Sequence, residues 1–262
     1  MKLVDTHAHL LDERLNDRIT EIVESFSADG LDFVVEIGTS IEDSKDVLEL
    51  ANKYNNLYCT VGVHPHYAKT YDPEFENWVK SNLSFAAVCN KKIVAIGECG
   101  LDYHYEGNPK AGQAKMFVSH IKLAHEVGLP LVVHSREAYS DTLQILKEHK
   151  SLLTNGVLFH CFNYGAKELK ELHGEFDSYF AFGGAITYKK SEPLCEAACV
   201  VPLDRMLIET DCPYLAPTPL RGTVNEPKNV KIIAEFIAKL RGVSLEEIAC
   251  ATTENARKVY RI

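Results

Sequence analysis

Six side chains of the kind that bind divalent metals stand where short apolar runs stop: His7 and His9, then Glu98, His134, His160 and Asp211. The preceding runs are Leu3-Val4, Ile93-Val94-Ala95-Ile96-Gly97, Leu131-Val132-Val133, Val157-Leu158-Phe159 and Met206-Leu207-Ile208. Imidazoles and carboxylates gathered in one place hold a Lewis-acidic ion, and such an ion turns water into a nucleophile near neutral pH. In His7-Ala8-His9 the two imidazoles are two residues apart, so on an extended chain both point to the same side. Glu98 has two oxygens, enough to bridge two ions. Taken singly, each residue has an ordinary role: Glu98 as a salt-bridged acid, Asp211 as the N-cap of a turn, a lone histidine as a structural group. Together, six ligands at five strand ends point to metal-assisted hydrolysis.

Such residues need a scaffold that brings strand ends together. Each apolar run reads as a short strand buried on both faces, as in parallel sheets. Strands are expected near 3–7, 32–38, 57–63, 93–98, 130–134, 156–160, 178–184 and 205–211. Helices are expected near 16–29, 41–54, 73–88, 110–128, 136–149, 165–173, 190–199 and 225–241. Gly128-Leu129-Pro130 ends one helix and turns into the next strand. Ser244 and Glu247 form a capping-box pattern that opens a ninth helix near 245–259. Eight βα units in 262 residues match an α/β fold of the (β/α)8 TIM barrel type with an extra C-terminal helix. In that architecture all strand C-termini open on one face, where catalytic groups collect. No linker-like or low-complexity stretch divides the chain, so 1–262 is expected to be a single domain. The segment 212–224, with Pro213, Pro217 and Pro219, reads as an ordered loop over the barrel mouth.

Composition limits the partners. The net charge of −9 argues against a broad polyanion-binding face. An anionic substrate must instead be captured locally, where two bound divalent ions would outweigh the charges of Glu98 and Asp211. The first fifteen residues include Asp5, His7, His9, Asp12, Glu13 and Arg14 and do not resemble a signal peptide; nothing later reaches membrane-span length. Eight cysteines without a CxxC or a regular framework suggest reduced thiols and a cytoplasmic protein. No membrane and no obligate protein partner are expected.

Other polar groups extend the candidate site. His64 and His66, in His64-Pro65-His66 after the third strand, suit substrate contact or proton transfer. Arg136, two residues past His134, and Arg221, in the late loop, are candidate phosphate ligands because guanidinium matches phosphate geometry. Asp5 shares the parity of His7 and His9 and is a candidate for orienting an imidazole. Cys99, Cys161 and Cys212 each follow a proposed ligand, so strand alternation turns them away from the ion. No nucleophile elbow, P-loop or dinucleotide fingerprint is present.

With these residues assembled, the chain resembles the TatD family of metal-dependent hydrolases, within the amidohydrolase-like barrel superfamily. The resemblance is carried by Asp5-Thr6-His7-Ala8-His9, Gly62-Val63-His64-Pro65-His66, Ile96-Gly97-Glu98-Cys99-Gly100-Leu101-Asp102-Tyr103, Val133-His134-Ser135-Arg136, His160-Cys161-Phe162, Glu209-Thr210-Asp211-Cys212-Pro213-Tyr214-Leu215 and Arg221-Gly222 through Asn225-Glu226-Pro227. It covers essentially the whole chain. It implies one or two divalent ions, with His7, His9, Glu98 and Asp211 around one and Glu98, His134 and His160 around the other. It also implies a deoxyribonuclease acting on DNA ends in the 3′-to-5′ direction, with Tyr103 among the substrate contacts. Three departures stand out. Cys99 replaces an aliphatic residue, His160-Cys161-Phe162 continues as Asn163-Tyr164-Gly165, and Thr223-Val224 replaces a more basic stretch.

On this pattern Asp211 both touches a metal and accepts the proton of the attacking water, with Glu98 the second catalytic carboxylate. The imidazole-rich set suits Zn, Mn, Co or Ni better than an oxygen-only Mg site, though the family includes enzymes used with Mg. Two rivals are a metallohydrolase of small esters, lactones, amides or aminoacyl-tRNA esters, and a non-catalytic metal- or nucleic-acid-binding protein. Phosphate-binding arginine near the site, against an apolar pocket, discriminates the first, and an intact Asp211 argues against the second.

Overall fold

The computed structural model describes residues 2–86, 91–105, 107 and 109–262. Eight strands alternate with helices and form one eight-stranded sheet in the order β1 to β8, the (β/α)8 barrel class, with a further helix at the C-terminus. The strands are β1 (Leu3–Ala8), β2 (Leu31–Ile37), β3 (Leu57–Val61), β4 (Ile93–Asp102), β5 (Leu131–Arg136), β6 (Val157–Phe159), β7 (Ser178–Phe182) and β8 (Met206–Ile208). The helices are α1 (Ile19–Asp29), α2 (Ile41–Lys53), α3 (Glu74–Ala86), α4 (Lys110–Val127), α5 (Tyr139–Glu148), α6 (Ala166–Glu175), α7 (Glu192–Val200), α8 (Val230–Arg241) and α9 (Leu245–Tyr260). All eight expected strands and nine expected helices are present, with shifted ends. Residues 87 and 88 of the third expected helix lie outside the described residues.

The two-faced burial inferred from the apolar runs is present. Every residue of β1, β4, β6, β7 and β8 is buried. Gly128 ends α4 in a left-handed conformation, as its lack of Cβ allows. The Ser244 hydroxyl accepts the Glu247 amide hydrogen at the start of α9, half of the expected capping box.

The chain divides into two compact units. The first comprises Met1–Glu36, His160–Gly174 and Tyr179–Ile262. Within it β1 pairs in parallel with β2, β7 with β8, and a parallel bridge joins Ala8 to Cys212 beyond β8. The second comprises Ile37–Phe159 and Glu175–Ser178. Within it β3, β4, β5 and β6 pair successively in parallel.

Candidate metal centre

In the first unit the ends of β1 and β8 are stitched together residue by residue. Asp211 donates its amide hydrogen to His7 O at 2.9 Å, and His9 donates to Cys212 O at 2.8 Å, both ordinary backbone bonds. The Thr6 hydroxyl donates to Ile208 O at 3.0 Å. Asp5 accepts the Thr210 amide at 2.8 Å and the Thr210 hydroxyl, and also the backbone N–H of His7 at 3.3 Å. Asp5 therefore fixes the backbone that presents His7; these bonds are to the chain and not to an imidazole ring, which corrects the orienting role expected for it. Burial pushes the Asp5 carboxyl up to about 8 despite these bonds.

This stitching places His7 Nε2 3.7 Å and His9 Nε2 3.3 Å from Asp211 Oδ1. Donor atoms around one tetrahedral ion at bond lengths near 2 Å lie about 3.3 Å apart, so these three side chains could hold a cation between them. Burial works to raise the Asp211 carboxyl, but the bond from His9 and the charges of His160 and His7 outweigh it and hold it below its usual value. Asp211 has φ of 54°, a left-handed conformation that costs energy in a non-glycine residue and turns its side chain toward the histidines. His160 joins them: its ring stacks on His7 with centroids 3.7 Å apart. Glu209 Oε1 lies 3.2 Å from His160 Nδ1 and accepts the Cys161 amide at 2.6 Å. A carboxylate on Nδ1 selects the tautomer whose Nε2 lone pair is free for a metal.

Asn225 holds the loop that follows. Its side-chain amide donates to Thr210 O at 2.9 Å and Tyr214 O at 2.8 Å, so the segment expected to be an ordered loop is tied back to the end of β8.

In the second unit β4 runs past Glu98 to Asp102, and residues 98, 100 and 102 share one face. Glu98 Oε1 lies 2.6 Å from His134 Nδ1, and Asp102 Oδ2 lies 3.1 Å from His134 Nε2. Asp102 is thus to His134 what Glu209 is to His160. Its preference for Nε2–H leaves Nδ1 facing Glu98, where a divalent ion would replace the shared proton. His64 Nε2 is 3.7 Å from Glu98 Oε1. His64 Nδ1 accepts the His66 amide at 3.2 Å, so in the neutral ring the hydrogen sits on Nε2. Burial pushes the His64 pKa down to about 3, against the pull of Glu98, so the ring is neutral. A neutral ring with its hydrogen on Nε2 is a donor toward Glu98 or a bound oxygen. Proximity alone would group its nitrogens with Glu98 and His134 as ligands; the hydrogen-bond pattern favours the donor.

The first unit thus brings together His7, His9, His160 and Asp211, and the second brings together Glu98 and His134. Imidazole and carboxylate atoms at these spacings fit a divalent ion of the zinc or manganese kind. Of the expected substrate contacts, His66 lies beside the second cluster with Nε2 3.2 Å from Asp102. Tyr103 donates its hydroxyl hydrogen to Asp141 at 2.6 Å and carries the Lys110 ammonium 3.8 Å above its ring. Arg136 lies 5.2 Å from the Tyr105 ring, and Arg221, exposed, lies 4.5 Å from the Tyr188 ring. Glu209 and Asp102 escaped the sequence reading as orienting groups. The available signal was sequence proximity, since each lies two or four residues from a candidate ligand.

The model of the TatD related DNase family matches residues 4–261. An uncharacterized metal-dependent hydrolase of Bacillus subtilis, YabD, is 40% identical over 260 residues, 99% of each chain. The metal-dependent hydrolase YcfH of Escherichia coli K12 is 38% identical over 266 residues, covering 100% of this chain and 97% of its own. Among solved structures, YjjV, a TatD homologue from Escherichia coli K12, superposes with a TM-score of 0.91 at 24% identity, covering 99% and 98% of the two chains. That last likeness speaks to the fold.

Proposed function

The chain belongs to the TatD related DNase family and is a metal-dependent hydrolase, and from that premise we propose that it is a deoxyribonuclease that removes nucleotides from DNA ends, working from 3′ to 5′. The observation that carries the hydrolytic part is the approach of His7 and His9 to Asp211 at 3.7 and 3.3 Å beside His160. The nuclease part is supported by the family description and by Arg136 and Arg221, which have no carboxylate partner among the described residues.

His7, His9, His160 and Asp211 would hold a divalent ion in the first unit, and Glu98 and His134 would contribute to a second position. A bound divalent ion supplies Lewis-acid activation of water and of a phosphoryl oxygen. Asp211 accepts the proton of the attacking water, a role served by its ionised carboxylate. Glu209 and Asp102 keep His160 and His134 turned for ligation. His64, neutral and protonated on Nε2, donates a hydrogen bond to a substrate oxygen. Arg136 and Arg221 grip flanking phosphates. The cysteine pattern supports the cytosol as its compartment.

The test is to incubate metal-reconstituted protein with end-labelled single- and double-stranded DNA and, separately, with an aryl ester. Stepwise shortening of DNA that stops on chelation is the expected result. Ester hydrolysis without any shortening would replace the nuclease with a small-molecule esterase.

A further inference from the structure

We infer that Tyr105, backed by Arg136, is a stacking platform for one base of a single-stranded nucleic acid, with the Arg136 guanidinium on the adjoining phosphate; this deepens the nuclease reading and rests on it. Tyr105 follows the end of β4 and is 51% exposed, a large ring left in water beside a hydrolytic cluster. Its orientation is nevertheless fixed. His66 meets it at 5.1 Å and 82°, and His104 at 4.8 Å and 85°, both edge-to-face contacts. Arg136 lies 5.2 Å from its centroid, a cation–π distance.

Among the described residues, the carboxylates nearest in sequence to Tyr105 and Arg136 are engaged with other groups. Glu137, its neighbour in sequence, pairs with His104 Nδ1 at 2.6 Å. Asp141 accepts from the Tyr103 hydroxyl, and Asp102 faces His66 and His134. Arg136 has no carboxylate partner among the described residues, and a guanidinium above a half-exposed ring can meet a phosphate in its plane while the ring meets a base. The platform is also close to the chemistry. His66 touches both Tyr105 and Asp102, and Asp102 faces His134, which meets Glu98. An aromatic face next to a guanidinium is the arrangement by which unpaired bases are held without sequence preference. A paired base offers no free face, so the occupant is a single strand or a frayed end.

The experiment measures binding of a fluorescein-labelled single-stranded DNA decamer to metal-loaded Asp211→Asn protein by anisotropy, and KM for its cleavage by protein with Asp211 intact. Tyr105→Ala is expected to raise Kd and KM roughly fivefold to a hundredfold, the range found when a stacking side chain is truncated. Tyr105→Trp should restore both, which loss of a merely structural contact would not do. Arg136→Gln should reduce the slope of log K against log salt by about 0.7, one single-strand phosphate contact. If the unaltered protein shortens the decamer but Tyr105→Ala binds it as tightly with unchanged KM, the platform is wrong and the nuclease reading stands. If the unaltered protein neither binds nor shortens the decamer, both fall.

Discussion

At the scale of single residues, the proposed metal ligation would depend on carboxylates that orient imidazoles. Glu209 holds His160 through Nδ1, and Asp102 holds His134 through Nε2. Glu209→Ala is expected to weaken metal binding by roughly 10- to 100-fold, as loss of such a group commonly does. Glu209→Gln, which keeps an acceptor for His160, should recover part of that loss. Competition of the apo-protein with a chromophoric chelator reads this out, and unchanged affinity in Glu209→Ala would remove the orienting role. For Arg221→Ala the expectation is a tenfold to hundredfold loss in kcat/KM on DNA, from charge-assisted bonds worth about 1.5–3 kcal/mol each. No kinetic change would make Arg221 a surface cation resting on Tyr188. The candidate ligands were legible because they stand where apolar runs stop. The orienting acids were not, because an acid in a strand is recognisable as an orienting group only once its imidazole partner is known.

At the scale of elements, strands and helices were legible and their ends were not. Ending the fourth strand at residue 98 hid Asp102, which lies on the ligand face only because β4 continues to it. Gly100 makes that continuation possible. It pairs with His134 across β4 and β5, has φ of 136°, and a Cβ there would lie 2.1 Å from His134 O. Gly100→Ala should therefore cost at least about 1–3 kcal/mol, the usual penalty of overpacking, and lower metal affinity as His134 shifts. A thermal melt with unchanged midpoint would contradict this.

A second element-scale device is His120 on α4. Its Nε2 accepts the Val63 amide at 3.0 Å and its Nδ1 donates to Met116 O at 2.9 Å, so the neutral ring braces the turn that carries His64. Burial pushes its pKa from 6.5 down to about 4. The folded protein thus binds fewer protons than the unfolded chain between these values. The resulting stability is fully present above pH 6.5 and is lost as pH falls through 4, about 3 kcal/mol in all. Denaturant titrations at pH 7 and 4.5 should show a fall in stability that is smaller in His120→Asn. An equal fall in both proteins would assign the pH dependence to other groups. Nothing in the sequence marks His120, because its partners are backbone groups, one on its own helix and one at a distant strand end.

At the scale of the whole molecule, the net charge of −9 argues against a broad basic face for the proposed DNA substrate. If Arg136 and Arg221 are the guanidinium groups that meet phosphates, the salt dependence of single-strand binding should be shallow, with a slope no steeper than about −2. A slope several-fold steeper would reveal a phosphate-binding surface outside Arg136 and Arg221. The fold class was legible because eight apolar runs alternate with helical patterns, and the chemistry because ligands recur at their ends. The substrate was not, since the same ligands serve esters, amides and phosphodiesters. The most direct test of the central claim is a parallel titration of apo-protein with Zn²⁺ or Mn²⁺, following bound metal and DNA cleavage together in the unaltered protein and in Asp211→Asn. The expected result is cleavage that rises with metal occupancy in the unaltered protein, and an Asp211→Asn protein that takes up metal but cleaves about 10²–10⁴-fold more slowly. Cleavage by the chelated protein, or near-normal turnover by fully loaded Asp211→Asn, would contradict it.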